Sequence, residues 1–131
     1  MMTFGVTVEA TIEAGRLSIN PLVVCGDLDL SDQSVTLPPK FTIRGDLILH
    51  RTRIGQLPEL LTVEGDLDLS DCPAWFLGNG TTVGGDLILG PSISTLPKKL
   101  TVKGDLYVGR SRVRKIDESV TVLGKVWGLN P

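Results

Sequence analysis

The chain has 131 residues, of which 41% are hydrophobic and 21% are charged, and its formal net charge at pH 7 is −2. This length fits a single domain with a modest core, and the small negative charge disfavours nucleic acid as the main partner. No stretch approaches the roughly 18 consecutive apolar residues of a membrane-spanning helix, and residues 1–6 lack the pattern of a secretory signal. We therefore expect a cytoplasmic protein that does not bind membranes.

The charges are distributed unevenly along the chain. Residues 1–97 carry 5 basic and 12 acidic side chains, whereas residues 98–131 carry 8 basic and 3 acidic side chains. In a repeat protein, position in the sequence maps onto position along an axis, so one end is predicted to be acidic and the other basic. Charge accumulated at random on a solvated surface is the alternative interpretation.

Residues 1–21 match the rest of the chain poorly and are predicted to form an N-terminal cap. They include Gly15-Arg16-Leu17-Ser18-Ile19, a degenerate form of the motif that follows, but this copy lies only 11 residues before Gly26. Terminal repeats of solenoid proteins are usually atypical because they cover the end of the core. The valine, leucine and isoleucine residues of this segment would form a covering hairpin or short strands.

From residue 22 onward the chain repeats the pentapeptide Gly-Asp-Leu-x-Leu, with valine in the last place of the fifth copy and an echo as the sixth. The glycines recur every 19 or 20 residues: Gly26, Gly45, Gly65, Gly85, Gly104 and Gly124. A fixed period of this length is typical of a solenoid in which each repeat forms one coil. We number the coils one to six by these glycines. Residues 22–131 are predicted to form an all-β solenoid of about five to six coils, leucine-rich-repeat-like or β-helical.

Apolar and polar residues alternate around each glycine, which predicts a half-buried strand of seven residues. The inward positions lie two residues before the glycine and two and four after it, as in Val24, Leu28 and Leu30. The outward positions form a threonine ladder, Thr42, Thr62, Thr82, Thr101 and Thr121, and an aspartate ladder, Asp27, Asp46, Asp66, Asp86 and Asp105. Glycine itself has inward parity, so it is predicted to mark a bend or a close approach between backbones.

Stacked carboxylates repel one another unless each accepts hydrogen bonds from backbone N–H groups at the glycine bend. This structural role is the preferred interpretation of the aspartate ladder. A cation-binding ridge that includes Asp29 and Asp68 is the alternative, although the chain lacks the glycine-aspartate nonapeptide of calcium-binding β-rolls. We therefore assign no metal site.

Signals for catalysis are weak. Cys25 and Cys72 fall in coils one and three, roughly 9–10 Å apart if strands stack in parallel, so both are expected to be free thiols. The single histidine, His50, could approach Cys72 across coils, but no orienting group accompanies this pair. No cysteine–histidine cluster has metal-ligand spacing, and no glycine-rich loop matches a phosphate-binding motif. We predict no enzyme activity and no cofactor.

A Leu-Pro turn precedes the strand in coils two, three and five, at Leu37-Pro38, Leu57-Pro58 and Leu96-Pro97. The stretch from Leu96 to Val108 resembles a short leucine-rich-like repeat of bacterial and phage proteins, and is similar to the 20-residue repeats of bacterial effector ubiquitin ligases. The usual asparagine ladder is replaced by Gln33, Thr52, Cys72, Ser92 and Ser111. The catalytic cysteine of those ligases belongs to a separate domain without a counterpart in this sequence. The resemblance therefore implies a recognition surface and no chemistry.

Two groups of residues are candidates for partner binding. The basic group follows the strand of coil five and has no acidic neighbours at matching positions of adjacent coils: Arg110, Arg112, Arg114 and Lys115. The apolar group comprises an outward strip, Ile88, Tyr107 and Trp127, and the pair Trp75 and Phe76 in the return half of coil three. Aromatic residues near arginine are typical of protein-binding hot spots. The alternatives are a solvated basic face, a Trp127 that caps the last coil and a Trp75 packed under a loop.

The sequence thus favours a non-enzymatic protein–protein interaction module whose partner has an acidic surface. A phage or mobile-element protein that binds and inhibits a host defence protein is the more specific hypothesis. Two alternatives stay open: a structural solenoid that assembles head to tail or as a homodimer, and a nucleic-acid-binding protein that uses the basic C-terminal third. Nucleic acid is disfavoured because the chain is acidic overall and lacks a stacking platform.

Overall fold

A computed structural model of the chain describes residues 12–13, 16–17, 23–34 and 36–129. Fourteen strands of two residues each are present in this part, two to a coil after the first pair. In chain order they are β1 (Ile12–Glu13), β2 (Arg16–Leu17), β3 (Val23–Val24), β4 (Leu28–Asp29), β5 (Thr42–Ile43), β6 (Leu47–Ile48), β7 (Thr62–Val63), β8 (Leu67–Asp68), β9 (Thr82–Val83), β10 (Leu87–Ile88), β11 (Thr101–Val102), β12 (Leu106–Tyr107), β13 (Thr121–Val122) and β14 (Val126–Trp127).

The strands of successive coils stack in two parallel sheets of six strands. One sheet has the order β3-β5-β7-β9-β11-β13 and the other β4-β6-β8-β10-β12-β14, so each strand pairs with its equivalent in the next coil. This arrangement confirms the all-β solenoid that was predicted with about five to six coils. The first two strands, β1 and β2, pair antiparallel with each other. The predicted division into a cap and a solenoid stays a prediction, because most of residues 1–21 lie outside the described residues.

Each coil has two short strands where the alternation predicts one strand of seven residues. The backbone bends at the glycine and the residue before it, as at Arg44 and Gly45 between β5 and β6. A Cβ atom on Gly45 would lie 2.6 Å from the carbonyl carbon of Gly26 and would collide with Asp27 Oδ1. The predicted bend and close backbone approach at glycine are therefore confirmed, and this bend is what divides the strand.

The inward positions form one continuous hydrophobic core through the stack. Their side chains are buried in coils one to five: Val24, Ile43, Val63, Val83 and Val102 before the glycine, Leu28, Leu47, Leu67, Leu87 and Leu106 two after it, and Leu30, Leu49, Leu69, Leu89 and Val108 four after it. In coil six the equivalent Val122 and Val126 are only half-buried, and Leu123 is 69% exposed. The core is therefore less covered at its C-terminal end than in coil one.

Left-handed backbone conformations mark two corners of the coil. One corner lies six residues after the glycine, where Asp32, Arg51 and Asp71 have φ values of 65°, 55° and 57°. The other precedes the threonine strand, where Lys40, Leu60 and Lys99 have φ values near these. We call the residues between the two corners the return segment of each coil. Among the residues that the structure describes, no helix has the length and apolarity that a membrane crossing requires.

Candidate binding surfaces

The aspartate ladder links successive coils through hydrogen bonds. Oδ1 of each aspartate accepts a bond from the backbone N–H of the equivalent residue in the next coil. These bonds measure 2.7–2.9 Å and run from Asp46 to Asp27, Asp66 to Asp46, Asp86 to Asp66, Asp105 to Asp86 and Lys125 to Asp105. The predicted structural role of the ladder is confirmed. Within the described ranges, no group of three or more His, Cys, Asp or Glu side chains is placed to hold a metal ion.

The end of the ladder fixes the position of Trp127. Asp105 accepts hydrogen bonds from the backbone N–H of Lys125 and, at 3.1 Å, from Nε1 of Trp127, and these bonds lower the pKa of the Asp105 carboxyl. The indole ring also stacks on Tyr107, with ring centroids 6.4 Å apart and planes 13° from parallel. Lys125 Nζ lies 5.6 Å from the centroid of the same ring. Trp127 is nevertheless 47% exposed, so it presents a large apolar surface in a defined orientation.

An open groove of about 550 Å³ lies beside the Tyr107–Trp127 pair, on the outer face of the sheet that contains β14. Ile88 pairs with Tyr107, which in turn pairs with Trp127, so the predicted apolar strip is present. The groove is lined by these three residues together with polar groups that include Ser70, Asp86 and Arg110. We call it the aromatic groove. Partial desolvation, with the negative charges of Asp86 and Asp105, raises the pKa of Tyr107 and keeps its hydroxyl protonated.

Gly109 leaves room in the aromatic groove without being required by the fold. Ser31, His50 and Ser70 occupy the equivalent position in coils one to three. A Cβ atom on Gly109 would meet only Gly128 Cα, at an ordinary contact distance of 3.6 Å, and the φ angle of Gly109 is not in the left-handed region. The absence of a side chain at Gly109 therefore widens the aromatic groove, although the fold does not require glycine at this position.

The basic residues of coil five lie along its return segment, beside the aromatic groove. Arg112, Arg114 and Lys115 are exposed, and a second groove of about 440 Å³ is lined by Val108, Ser111, Arg112, Val113 and Arg114. We call it the basic groove. It shares Gly109 and Gly128 with the aromatic groove, so the two are contiguous. Within the described residues, none of the cations of coil five forms an ion pair.

Trp75 and Phe76 form a separate aromatic pair. Their ring centroids are 5.9 Å apart, and the side chains are 54% and 41% exposed, so Trp75 is not packed under a loop. Trp75 lies against Gly55 and lines a groove with residues of the coil-two return segment, including Gln56 and Pro58. The predicted site residues thus divide into a C-terminal surface, made of Ile88, Tyr107, Trp127, Arg110, Arg112, Arg114 and Lys115, and this separate pair.

The sequence analysis missed a polar cluster around His50. Nε2 of His50 lies 2.8 Å from Asp68 Oδ2 and 3.1 Å from Ser70 Oγ, both in coil three. Ser70 Oγ also donates a 2.6 Å bond to Asp68 Oδ1. A signal was available, because Leu-Asp-Leu-Ser-Asp occurs in both coil one and coil three, on either side of His50. Cys72 contacts Thr52 instead of His50, with a sulfur–oxygen distance of 3.5 Å.

Asp32 of coil one and Asp71 of coil three lie at the positions that match Arg51 of coil two, which predicts cross-coil ion pairs. Arg51 binds Asp32 of coil one through Nε at 2.7 Å and Nη2 at 3.1 Å. With Asp71 of coil three the contact is instead a backbone hydrogen bond, from the Arg51 N–H to the Asp71 carbonyl. The prediction is therefore confirmed for Asp32. Both cysteines are free, with Cys25 exposed and Cys72 buried.

No protein-family model, curated protein or solved structure matches this chain. The repeating coils of about 20 residues agree with a repeat protein, whereas the likeness to bacterial effector repeats depends on the sequence motif alone.

Several aspartate carboxyls have a lowered pKa in the folded protein, from which we predict a loss of stability in acid. Hydrogen bonds from Ser31 lower the pKa of Asp29, and those from Arg51 lower the pKa of Asp32. At Asp68, burial would raise the pKa, but bonds from Ser70 and His50 outweigh it and the pKa is lowered. A lowered folded-state pKa contributes stability above the unfolded value of about 3.9, and this contribution is lost as the pH falls below that value.

We therefore expect the free energy of unfolding, measured by urea titration, to stay level from pH 7 to about pH 5 and to fall below about pH 4. Ser70→Ala removes the hydroxyl bond to Asp68 but keeps the bond from the backbone N–H, and should make the acid-side decrease shallower than in the unmodified protein. An identical decrease in both proteins would show that the bond from the Ser70 hydroxyl to Asp68 does not contribute to the acid dependence of folding.

Proposed function

We propose that the protein is a non-enzymatic protein–protein interaction module that binds a partner with an acidic surface through the C-terminal surface. The observation that carries this proposal is the contiguity of two features, the half-exposed Tyr107–Trp127 stack and the arginines of coil five. Aromatic anchors with arginine are the usual composition of binding hot spots. Stacked coils hold such groups on a rigid scaffold, which lowers the entropy lost on binding.

The geometry around His50 supports a role without catalysis. A serine–histidine–aspartate relay needs the serine and the carboxylate on opposite ring nitrogens. Here Ser70 and Asp68 both contact Nε2 of His50, and Ser70 donates directly to Asp68. The cluster therefore fits a polar link between coils two and three better than an activated nucleophile.

The finer part of the proposal concerns the biological setting. A phage or mobile-element protein that binds and inhibits a host defence protein is favoured by the resemblance of the repeat to bacterial and phage sequences, and by nothing else in the molecule. The identification of a bound partner is the experiment that tests it.

Self-assembly is the second candidate function, and the incomplete burial of coil six favours it. Val122, Val126 and Leu123 expose apolar surface at the C-terminal end, whereas Val24 and Leu28 in coil one are buried. Apolar contact through coil six would give a closed dimer, whereas attraction between an acidic and a basic end would give head-to-tail stacking. A dimer held by apolar contact should persist in high salt, whereas charge-driven stacking should dissociate, as judged by molecular mass from light scattering.

The binding proposal predicts different kinetic roles for the two parts of the C-terminal surface. Replacing Arg110, Arg112 and Arg114 by alanine should slow association with a partner recovered from lysate and flatten its salt dependence, because exposed charges act mainly on the association rate. Trp127→Ala should instead speed dissociation, at a cost of about 2 kcal/mol or more if the indole is a central anchor.

Surface plasmon resonance on the two variants measures both rates. The matched control is Trp75→Ala, which removes an indole of similar exposure from a different groove and should leave both rates unchanged. If only the Trp75 variant altered the kinetics, the binding surface would be the pair Trp75 and Phe76.

A further inference from the structure

We propose that the groove beside Trp75 binds a proline-rich segment of a partner protein in the polyproline II conformation. The groove has a volume of about 480 Å³ and is lined by Thr36, Leu37, residues 53–58 and Trp75. We call it the Trp75 groove. The inference goes beyond the proposed function, because this groove lies in coils one to three and shares no residue with the C-terminal surface.

The indole of Trp75 is presented in a defined orientation. The Trp75 N–H donates to the Gly55 carbonyl at 2.9 Å, and the Phe76 carbonyl accepts from the Leu57 N–H, also at 2.9 Å. The Phe76 ring contacts the indole at an interplanar angle of 53°. Trp75 is nevertheless 54% exposed. A rigid aromatic side chain with this exposure offers a large contact area and loses little entropy when a ligand binds.

Gly55 makes room for the indole. A Cβ atom on Gly55 would lie 3.3 Å from Nε1 of Trp75, which is a tight contact. The φ angle of Gly55 is not in the left-handed region, and Ser94 and Arg114 occupy the equivalent position in coils four and five. The backbone therefore accepts a side chain at this position. Glycine serves to let the indole lie across coil two.

The side chains of the Trp75 groove are mainly hydrogen-bond donors. Nε1 of Trp127 donates to Asp105, whereas Nε1 of Trp75 has no acceptor among the residues that the structure describes. Arg53 is exposed and, within the same residues, forms no ion pair. Gln56 adds an amide that both donates and accepts, and none of the described lining residues is acidic. The ligand that fits must therefore supply acceptors and need few in return.

A proline-rich segment has this chemistry. Proline has a carbonyl acceptor and no backbone N–H, and its ring offers an apolar face to an indole. Such segments are extended before they bind, and recognition domains bind them in aromatic grooves. The hydroxyls of a carbohydrate donate as well as accept, so a sugar would lack carboxylate acceptors here. Nucleic acid would need several cations for its phosphates, and Arg53 is the single cation among the described lining residues.

The spacing of the coils matches the period of a polyproline II helix. Parallel strands lie about 4.8 Å apart, so coils one and three are separated by about 9.6 Å. A polyproline II helix has three residues per turn and rises about 3.1 Å per residue, so residues three apart are separated by about 9.3 Å. A segment along the solenoid axis would place one proline on Trp75 and another beside Thr36, with Gly55 below the residues between them. The motif that fits is Pro-x-x-Pro.

The probe is a decaproline peptide with blocked ends, and a glycine–serine peptide of the same length is its control. The chain has two tryptophans, so its NMR spectrum has two indole N–H signals, and Trp75→Phe identifies that of Trp75. Decaproline should shift the Trp75 signal in a saturable manner, because its Nε1–H gains a carbonyl acceptor, and should leave the Trp127 signal unchanged. The control peptide should shift neither signal. An unchanged Trp75 signal at saturating decaproline would overturn the proposal.

Variants test the parts of the groove separately. Trp75→Ala should weaken decaproline binding about tenfold or more, because it removes the aromatic surface and the donor together. Trp75→Phe keeps a ring and should weaken binding about fivefold, as expected for one lost hydrogen bond. Gly55→Val displaces the indole and should also weaken binding, provided that its thermal unfolding is unchanged. Equal binding by Trp75→Ala and the unmodified protein would overturn the proposal.

The matched control is Trp127→Ala, which removes an indole of similar exposure from the C-terminal surface. It should leave decaproline binding unchanged, so failure of the Trp75 groove is distinguished from failure of the proposed function. Binding lost only in Trp127→Ala would overturn the proposal.

Other ligands give different results in the same assay. Tighter binding of a linear glucose oligosaccharide than of decaproline, or of a single-stranded oligonucleotide at matched ionic strength, would overturn the choice of a proline-rich segment. Decaproline is uncharged, so its binding should be equal in low and high salt, and a steep loss in high salt would contradict the proposed contacts. A Trp75 signal that shifts with protein concentration alone would show that a second copy of this chain fills the groove, and would also overturn the proposal.

Discussion

Leu47→Asp is expected to leave the protein largely unfolded at room temperature, whereas the same change at the adjacent Ile48 is expected to leave it folded. Leu47 is fully buried between Leu28 and Leu67 of the neighbouring coils, so a carboxylate there would have no solvent and no partner. Such a change costs about 4 kcal/mol or more, which is a large part of the stability of a small domain.

Ile48 lies on the outer face of the same strand, where coils one and three already have aspartate at the equivalent position. Its replacement should cost no more than about 1 kcal/mol, mainly through repulsion between neighbouring carboxylates. Circular dichroism during urea titration of both variants measures the difference. Equal loss of stability at the two positions would mean that the assigned inward and outward faces are wrong.

A second large effect is expected at the glycine bend. A Cβ atom on Gly65 would lie 2.8 Å from the backbone carbonyl carbon and oxygen of Gly45 and would collide with Asp46 Oδ1. Backbone atoms of an adjacent coil cannot move aside without breaking the Asp46–Asp66 bond of the ladder. Gly65→Ala should therefore cost about 3 kcal/mol or more, at the upper end of the usual range for overpacking.

Gly109→Ala is the matched control, because a Cβ atom there has only an ordinary contact. It should change the free energy of unfolding by less than about 1 kcal/mol and could increase it by restricting the unfolded chain. Thermal and urea unfolding of both variants decide the question. A large loss at Gly109, or none at Gly65, would contradict the stacking of coils at the glycine. The Gly109 variant also places a methyl group in the aromatic groove and should weaken partner binding.

The repeat itself contained most of the information about the fold. A period of 19 or 20 residues and a strict alternation around Gly45 or Gly65 sufficed to predict the parallel stack, its inward leucines and the close approach at glycine. The alternation of apolar and polar residues could not predict that the strand divides in two. Inward and outward positions alternate in the same way before and after the bend, so the pattern is that of one continuous strand. The division follows from how near Gly26 lies to Gly45, which only the packed backbone shows.

The candidate surface was predictable in its residues but not in its grouping. The repeat already placed Tyr107 beside Trp127, because they have the same position in adjacent coils, and the absence of acidic neighbours already distinguished Arg112 from Arg51. Three-dimensional contacts were needed to find that Asp105 fixes the indole of Trp127 and that Gly109 and Gly128 join the aromatic and basic grooves. They were also needed to find that Trp75 lines a different groove. The link from His50 to Asp68 was missed because it joins different positions of adjacent coils.

Affinity capture from lysate with matched variants tests the central claim most directly. The protein, a Tyr107→Ala/Trp127→Ala variant and a Trp75→Ala/Phe76→Ala variant are immobilised in equal folded amounts, and bound proteins are quantified by mass spectrometry. A partner retained by the unmodified protein and by the Trp75/Phe76 variant, but lost from the Tyr107/Trp127 variant, is the predicted result. Retention of the same partner by the Tyr107/Trp127 variant at full level would contradict the assignment of binding to the C-terminal surface.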